Sequence, residues 1–568
     1  MDAMSSSFLS NAFHRPKSIR SSPSPPNKYI PDPFFHISSS QITHENKPQE
    51  DLKSTNTTLT RTPTPSIKHS LHEQTVNGSA TATTYSPPRP ASLQQLKRKI
   101  PTSTPQTSTP YFLFNALDEI VNNFIDPPLR PSVDPKHVLS NNFAPVDELP
   151  PTDCPIIEGT LPPCLDGAYI RNGPNPQYLP KGPYHLFDGD GMLHSLRISN
   201  GRATLCSRYV RTYKYNVELD AGSPVFPNVF SGFNGLPAMA ARGALSAARV
   251  LTGQYNPTNG IGLANTSLAF FGDKLFALGE SDLPYQIRLT SDGDIETIGR
   301  HDFEGKFSSP MSSMTAHPKM DAQTDIQIGM TTNPMELLSG NGSVVGADTK
   351  KVPRIGVIPR YANDESEMRW FDVPGFNIIH AINAWDEEDS IVLIAPNILS
   401  VEHTLERMEL IHASVEKVRI NLKTGMVTRS PISTKNLDFG VINPAFAGRK
   451  NKYGYAAVGD PMPKISGVVK LDWSSKGGRE AGCRMFGSGC YGGEPFFVPK
   501  SNDPASMGEE DDGYLVTYVH DENSSESRFL VMDAKSPTLD IVASVKLPRR
   551  VPYGFHGLFV KDTDLSKL

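Results

Sequence analysis

Gly167-Ala-Tyr-Ile170 runs straight into Arg171-Asn-Gly-Pro-Asn-Pro176, and this junction sets the rhythm of most of the chain. A short run of strand-favouring residues stops on a cluster of turn-formers. Outward from it the pattern recurs: Leu193 to Ile198 stops on Ser199-Asn-Gly201. Lys274 to Leu278, Tyr453 to Val458, Tyr514 to Val519 and Phe529 to Met532 repeat the theme. Many short strands separated by Gly, Pro, Asn and Asp predict an all-β domain, either a sandwich or a propeller. No WD or kelch repeat decides between them, but one continuous pattern from about Glu158 to Leu568 is long for a sandwich and suits a propeller.

Composition agrees. Gly and Pro, 43 and 51 of 568 residues, are about one residue in six, which fits many turns better than a helical bundle. A net charge of −5 with 20% charged residues gives no basic field for nucleic acid. The five cysteines (Cys154, Cys164, Cys206, Cys483 and Cys490) form no Cys-x-x-Cys pair, which speaks against a disulfide framework or a cysteine zinc site. The triplet Asn341 to Ser343 has the glycosylation spacing, but no secretory signal precedes it, and it reads as chance. No apolar run reaches the roughly 18 to 20 residues that span a bilayer, so the expectation is a protein in solution or on a membrane surface.

Residues 1–110 differ from the rest. Ser, Thr and Pro dominate, as in Ser21-Ser-Pro-Ser-Pro-Pro26, and Asp2 is the only acid among the first 30 positions, whereas Arg15, Lys17, Arg20 and Lys28 are basic. Such a segment buries too little apolar surface to offset its ordering entropy and is expected to be disordered. Its composition also matches a chloroplast transit peptide. Leu93, Leu96 and Ile100 recur at helical spacing, and residues 111–144 open with an apolar helix over Phe112 to Ile125, ended by Pro127-Pro128. Pro237 to Leu251 predicts another helix, rich in Ala and Leu, with Arg242 and Arg249 as basic flanks. An apolar stripe with basic flanks can lie in a membrane interface, or it can pack on the core.

Fifteen histidines are scattered without a metal-type cluster. Three have small or apolar neighbours: Ser313-Met-Thr-Ala-His317-Pro-Lys319, Asn377-Ile-Ile-His380-Ala-Ile-Asn383 and Tyr553-Gly-Phe-His556-Gly-Leu-Phe559. An isolated histidine is more often a satisfied core or surface residue. Spacings this long make one site only if the fold gathers distant strands, as a propeller axis does.

These three strings resemble histidine signatures of the carotenoid cleavage dioxygenases. The resemblance extends to Arg171-Asn-Gly-Pro-Asn-Pro176, His185-Leu-Phe-Asp-Gly-Asp-Gly-Met192, Gly493-Glu-Pro-Phe-Phe497 and Pro548-Arg-Arg-Val-Pro-Tyr-Gly-Phe-His556, and covers residues 145–568. It is strongest to the fourth plant subfamily, which is associated with plastoglobules and cleaves at the 9,10 or 9′,10′ double bond. It implies a seven-bladed β-propeller with a helical cap and Fe(2+) on the axis, held by four histidines. His317, His380 and His556 match three of them. Glu280, Asp438 and Glu494 match the acids that orient the rings. The implied partners are a carotenoid or apocarotenoid, dioxygen, and a plastid membrane or plastoglobule surface. The implied products are ketone volatiles such as β-ionone.

The fourth histidine of the family lies between the strings of His317 and His380, and here that interval holds no histidine. Thr324 runs directly into Asp325-Ile-Gln-Ile-Gly329, which in relatives lies beyond the absent stretch. Its length, about fifty residues, is that of one propeller blade, so the ring is expected to fall short by about one blade. Glu280 is expected to lose its partner, and Asp438, one methylene shorter than the usual glutamate, to reach its ring by a longer or water-bridged bond. His301-Asp-Phe303 resembles the absent string but precedes His317 and belongs to another strand. The readings are therefore a working 9,10-cleaving dioxygenase, a catalytically impaired relative, or a propeller used as an interaction scaffold.

Overall fold

A computed structural model describes residues 109–568 apart from residues 229, 306–312, 321–326, 329–351, 460, 476 and 502–508. The expected leader, the helical spacing at Leu93 to Ile100, the Asn341 triplet and the Thr324–Asp325 join lie outside the described residues.

The alternation in the opening motif shows how the fold is built. Gly167–Pro174 is a strand buried along its whole length. Successive side chains of a strand point to opposite faces. Tyr169 packs with Leu196, Tyr518 and Phe529, whereas its neighbours Ala168 and Ile170 pack with Leu193, Leu275 and Ile287. This sheet is thus apolar on both faces and lies between two others, as a blade around an axis does.

The described sheets follow that plan. Ser267–Phe271, Lys274–Leu278, Tyr285–Leu289 and Ile295–Arg300 form one four-stranded antiparallel meander, and Asn383–Glu387, Ser390–Ile398, Ala413–Asn421 and Val427–Pro431 form another. A ten-stranded sheet joins two further blades through Cys490–Gly492. One blade runs from Leu437–Val441 to Arg479–Met485, and the other from Phe496–Pro499 to Ile541–Lys546. Closure comes from the ends of the domain: Gly557–Lys561 pairs with Gly167–Pro174, and Ile156–Gly159 pairs with Ile541–Lys546. Between Arg300 and Asn383 the described chain forms only two-stranded ladders, Lys319–Met320 with Gln327–Ile328 and Arg354–Val357 with Arg369–Asp372. The architecture is an all-β propeller with a helical cap.

The cap contains the expected helices. Thr109–Ile120 continues into a π-helical turn, Val121–Ile125, and Gly235–Leu251 packs against both. The basic residues of the second helix do not flank its apolar face, contrary to expectation. Arg242 pairs with Asp126 and Arg249 with Asp118, and both point inward. Desolvated guanidinium groups need such partners, so acids of the first helix and its turn draw them to the packed side. What faces outward is apolar: Phe112, Leu113, Phe124, Leu129, Leu236 and Leu251. No helix among the described residues is long and apolar enough to cross a membrane. All five cysteines are free.

Candidate metal centre

His380 lies three residues before the strand Asn383–Glu387, His556 immediately before Gly557–Lys561, and His317 two residues before Lys319–Met320. A propeller brings the starts of such strands together around its axis. The ligand atoms of the three rings lie within 4.8 Å of one another. Ring centroids are 5.3 Å apart for His317 and His380, 4.9 Å for His317 and His556, and 5.0 Å for His380 and His556. Residues separated by up to 239 positions thus make one cluster.

Each ring has its own carboxylate. His317 Nδ1 donates to Glu280 at 2.6 Å, His380 Nδ1 to Asp438 at 2.8 Å and His556 Nδ1 to Glu494 at 3.0 Å. Two expectations are corrected here. Glu280 is not left without a partner, because the ring of His317 turns to it. Asp438 needs no bridging water, because its strand, Leu437–Val441, carries the short side chain close to the ring. The second oxygen of Glu494 accepts the backbone N–H of Gly557, which ties this acid to the histidine loop twice.

The electrostatics follow from burial working against these charges. For Asp438 and Glu494 burial raises the carboxyl pKa, but the facing imidazoles and hydrogen bonds outweigh it and hold both below the usual range. Burial lowers His380, yet Asp438 overcomes this and the net shift is upward. For His556 burial wins, and its imidazole is held below the ordinary value. Lys319 is exposed by surface area, yet the surrounding protein holds its ammonium below the lysine range against the pull of Glu494 and Asp438.

A neutral ring that donates Nδ1–H to its carboxylate keeps its lone pair on Nε2, the tautomer that binds metals. Three such imidazoles fit a divalent first-row metal and leave coordination positions open. His301 is not among them, being packed against the rings of Phe276 and Phe303.

Sequence reasoning missed the aromatic wall. Phe439, at a positive φ of 50°, places its ring 5.0 Å from His380 and 5.5 Å from His556. Beside His556, Phe555 meets Phe187, which meets Phe230 and His185. Position next to Asp438 and His556 was the available signal for Phe439 and Phe555. The acids of the His185 to Met192 motif also have a legible task. Asp188 accepts the backbone N–H groups of His185, Phe230 and Ser231, and Asp190 pairs with buried Lys214, which also pairs with Glu218. The motif fastens cap to blade beside this wall.

Comparison with known proteins agrees with this geometry. The family model described as retinal pigment epithelial membrane protein matches residues 143–336 and 326–561, in two stretches. The chain is 63% identical to the probable carotenoid cleavage dioxygenase 4, chloroplastic, of Arabidopsis thaliana, covering 82% of this chain and 88% of that protein. That alignment runs over 529 residues, whereas 82% of 568 is roughly 466, so the relative holds a net 60 or so positions without a counterpart here. Identity is 56% to the rice 9-cis-epoxycarotenoid dioxygenase NCED1, chloroplastic, covering 81% of each chain. It is 35% to a carotenoid 9,10(9′,10′)-cleavage dioxygenase of Crocus sativus, covering 76% of this chain and 90% of that one. The fold matches the solved structure of a mutant of the Synechocystis apocarotenoid oxygenase at a TM-score of 0.60 and 22% identity, covering 76% of this chain and 99% of that one. The protein belongs to the carotenoid cleavage dioxygenases, the enzyme family of the retinal pigment epithelial membrane protein.

Proposed function

We propose that this chain binds iron(II) through His317, His380 and His556 and acts on a carotenoid or apocarotenoid at the 9,10 (9′,10′) double bond. The observation that carries the reading is the convergence of three imidazoles, each turned by its own carboxylate. Bound iron(II) supplies the activation of dioxygen that splits the double bond into two carbonyl products, among them ketones such as β-ionone. The residues do the rest. Glu280, Asp438 and Glu494 fix tautomer and orientation, Phe439 keeps water from two ring faces, and Phe187, Phe230 and Phe555 offer an apolar wall to a polyene. The outward apolar residues of the cap would seat the protein on a plastid membrane or plastoglobule, from which so insoluble a substrate must come. Residues 1–110 would be the transit peptide.

A specific observation favours a second reading, that turnover is impaired. The interval between His317 and His380 contains no histidine, and the two family-matched stretches meet there, overlapping at residues 326–336. The positions that relatives hold and this chain does not fit an in-frame loss of the fourth histidine. An interaction scaffold is disfavoured, since it has no use for three ring–carboxylate pairs on the axis.

The test measures iron retained after dialysis and β-ionone released from β-carotene or an apocarotenal, with dioxygen and added iron. Iron held well below one equivalent with slow release supports the impaired reading. Full iron with turnover equal to that of a version carrying the relatives' segment defeats it. No metal bound at any concentration defeats both readings.

A further inference from the structure

Arg171 is among the largest fully buried side chains, 2% exposed, and no carboxylate among the described residues pairs with it. An unpaired buried cation is costly and persists where the surrounding structure requires it. Burial holds the guanidinium below its ordinary range. Its surroundings show what it joins. Nη2 donates to the carbonyl of Pro552, four residues before His556, and the guanidinium lies 5.1 Å from the centre of the Tyr518 ring. A Cβ on Gly493, the neighbour of Glu494, would stand 2.8 Å from Nη1, and a Cβ on Gly554 would stand 3.1 Å from Nε. Both loops therefore approach the guanidinium through glycines, where a side chain would collide. The strand carrying Arg171 reinforces this: Arg171 sits opposite Gly557 in the ladder, and the N–H of Asn172 donates to the carbonyl of His556 at 3.0 Å.

We infer that Arg171 is a positioning residue for the metal centre: a buried clamp that sets the loop of Glu494 against the loop of His556, and so fixes the His556 Nδ1–Glu494 bond and the direction of Nε2. It touches neither reactant nor metal. Among the described residues Arg171 bonds to Pro552 and not to the other two ring–carboxylate pairs, which are expected not to depend on it. The inference rests on the proposed metal reading for its consequence, and on loop geometry alone for its structural claim.

The experiment uses the full chain, selectively ¹⁵N-labelled at histidine, with three variants: Arg171→Met, Gly493→Ala and Lys470→Met. Lys470 is a buried cation of the strand Ile465–Asp472, paired with Asp511, and serves as the control for stability loss. In Arg171→Met the hydrogen-bonded Nδ1–H resonance of His556 should be lost from the metal-free protein, while that of His380 stays. Cobalt(II) affinity should fall 10- to 100-fold, the usual cost of losing an outer partner of a ligand. Lys470→Met, even with an equal fall in Tm, should change neither. Should Arg171→Met fail to fold, Gly493→Ala, which crowds Nη1, is expected to give the same selective loss at His556. A His556 resonance retained in the folded Arg171 or Gly493 variant overturns the inference, as does its equal loss in Lys470→Met. If the parent protein binds no cobalt, the metal reading fails, and the resonances of the metal-free protein still decide the role of Arg171.

Discussion

The arc of the ring between Asn383 and Lys561 and the arc between Arg300 and Asn383 are built to different standards. In the first, Ser390–Ile398 pairs with Ala413–Asn421 along nine residues, and the side chains of Val392, Ile394 and Val415 are fully buried. In the second, the ladders described are two and four pairs long, and Trp370, Tyr361 and Val352 are exposed. The site inherits this difference. The side chains of His380 and Asp438 are 14% and 10% exposed, and those of His556 and Glu494 15% and 10%, whereas those of His317 and Glu280 are 23% and 30% exposed. A blade shields its axial residue only as well as its neighbours shield the blade. The described ladders of the second arc are also where the two family-matched stretches overlap, at residues 326–336.

The strongest way to break this comparison is to refill the arc. Inserting the relatives' segment of about fifty residues between Thr324 and Asp325 should raise retained iron to about one equivalent and turnover by more than about 100-fold, since a ligand should count for more than an outer partner. An unchanged iron content would mean that the thin arc does not limit the site.

Much of this was legible from residues. The punctuation after Ile170 and Ile198 gave the all-β class, and the helices of the cap followed from apolar spacing. The three histidine strings pointed to the cluster through a resemblance, because spacings of 63 and 176 positions carry no geometry by themselves. Partners across the axis were not legible. Glu280 was expected to stand alone, yet a ring with a free Nδ1–H lay within reach. Arg242 and Arg249 read as a basic flank, but Asp118 and Asp126, more than a hundred positions earlier, turn them inward. Phe439 owes its place to a positive φ that a phenylalanine does not advertise.

The two arcs should also differ in what truncation costs. Ile394→Ala, in a fully buried position of the thick arc, should lower stability by about 2–5 kcal/mol. Ile355→Ala, in a half-buried position at the margin of a core cluster, should cost about 1 kcal/mol or less, because less apolar surface leaves the packed interior. Urea unfolding followed by fluorescence would check both, and equal costs would remove the contrast.

Acid probes the anchoring of the cap beside the thick side of the site. His185 is buried, and burial lowers its pKa from the ordinary 6.5 to about 4. Its neutral form is the one the fold accepts, so the unfolded chain takes up a proton first as the pH falls. Stability is thus fully present above about 6.5 and lost progressively down to about 4, a difference of about 3 kcal/mol. In His185→Asn the urea midpoint should fall less over that window. An identical fall would place the acid sensitivity elsewhere.

At the site itself, the outer acids should rank by shielding. Asp438→Asn and Glu494→Gln should each weaken cobalt binding by roughly 10- to 100-fold, because an amide neither holds the ring in the metal-binding tautomer nor adds to its basicity. Glu280→Gln should cost less than about 10-fold, since water reaches its pair and can take over the bond to Nδ1. Isothermal titration of the three variants orders them, and a Glu280 variant as weak as the others would show that the open pair is as organised as the closed ones.

The smallest expected effect concerns the surface that the thin arc leaves uncovered. Trp370 is 56% exposed, with the Arg354 guanidinium 5.3 Å from its ring centre. Trp370→Thr removes a large apolar face from water without opening a core cavity, and threonine suits a strand as well as tryptophan does. Monomer stability should therefore change by no more than about 0.5 kcal/mol, with the lost cation–π contact offset by the smaller apolar exposure. A short strand with an exposed aromatic is, however, an inviting edge for a second copy. Sedimentation at increasing concentration should show the parent chain self-associating more than the variant, and insertion of the relatives' segment should suppress association in both. Equal association of parent and variant would show that Trp370 is not the contact between copies.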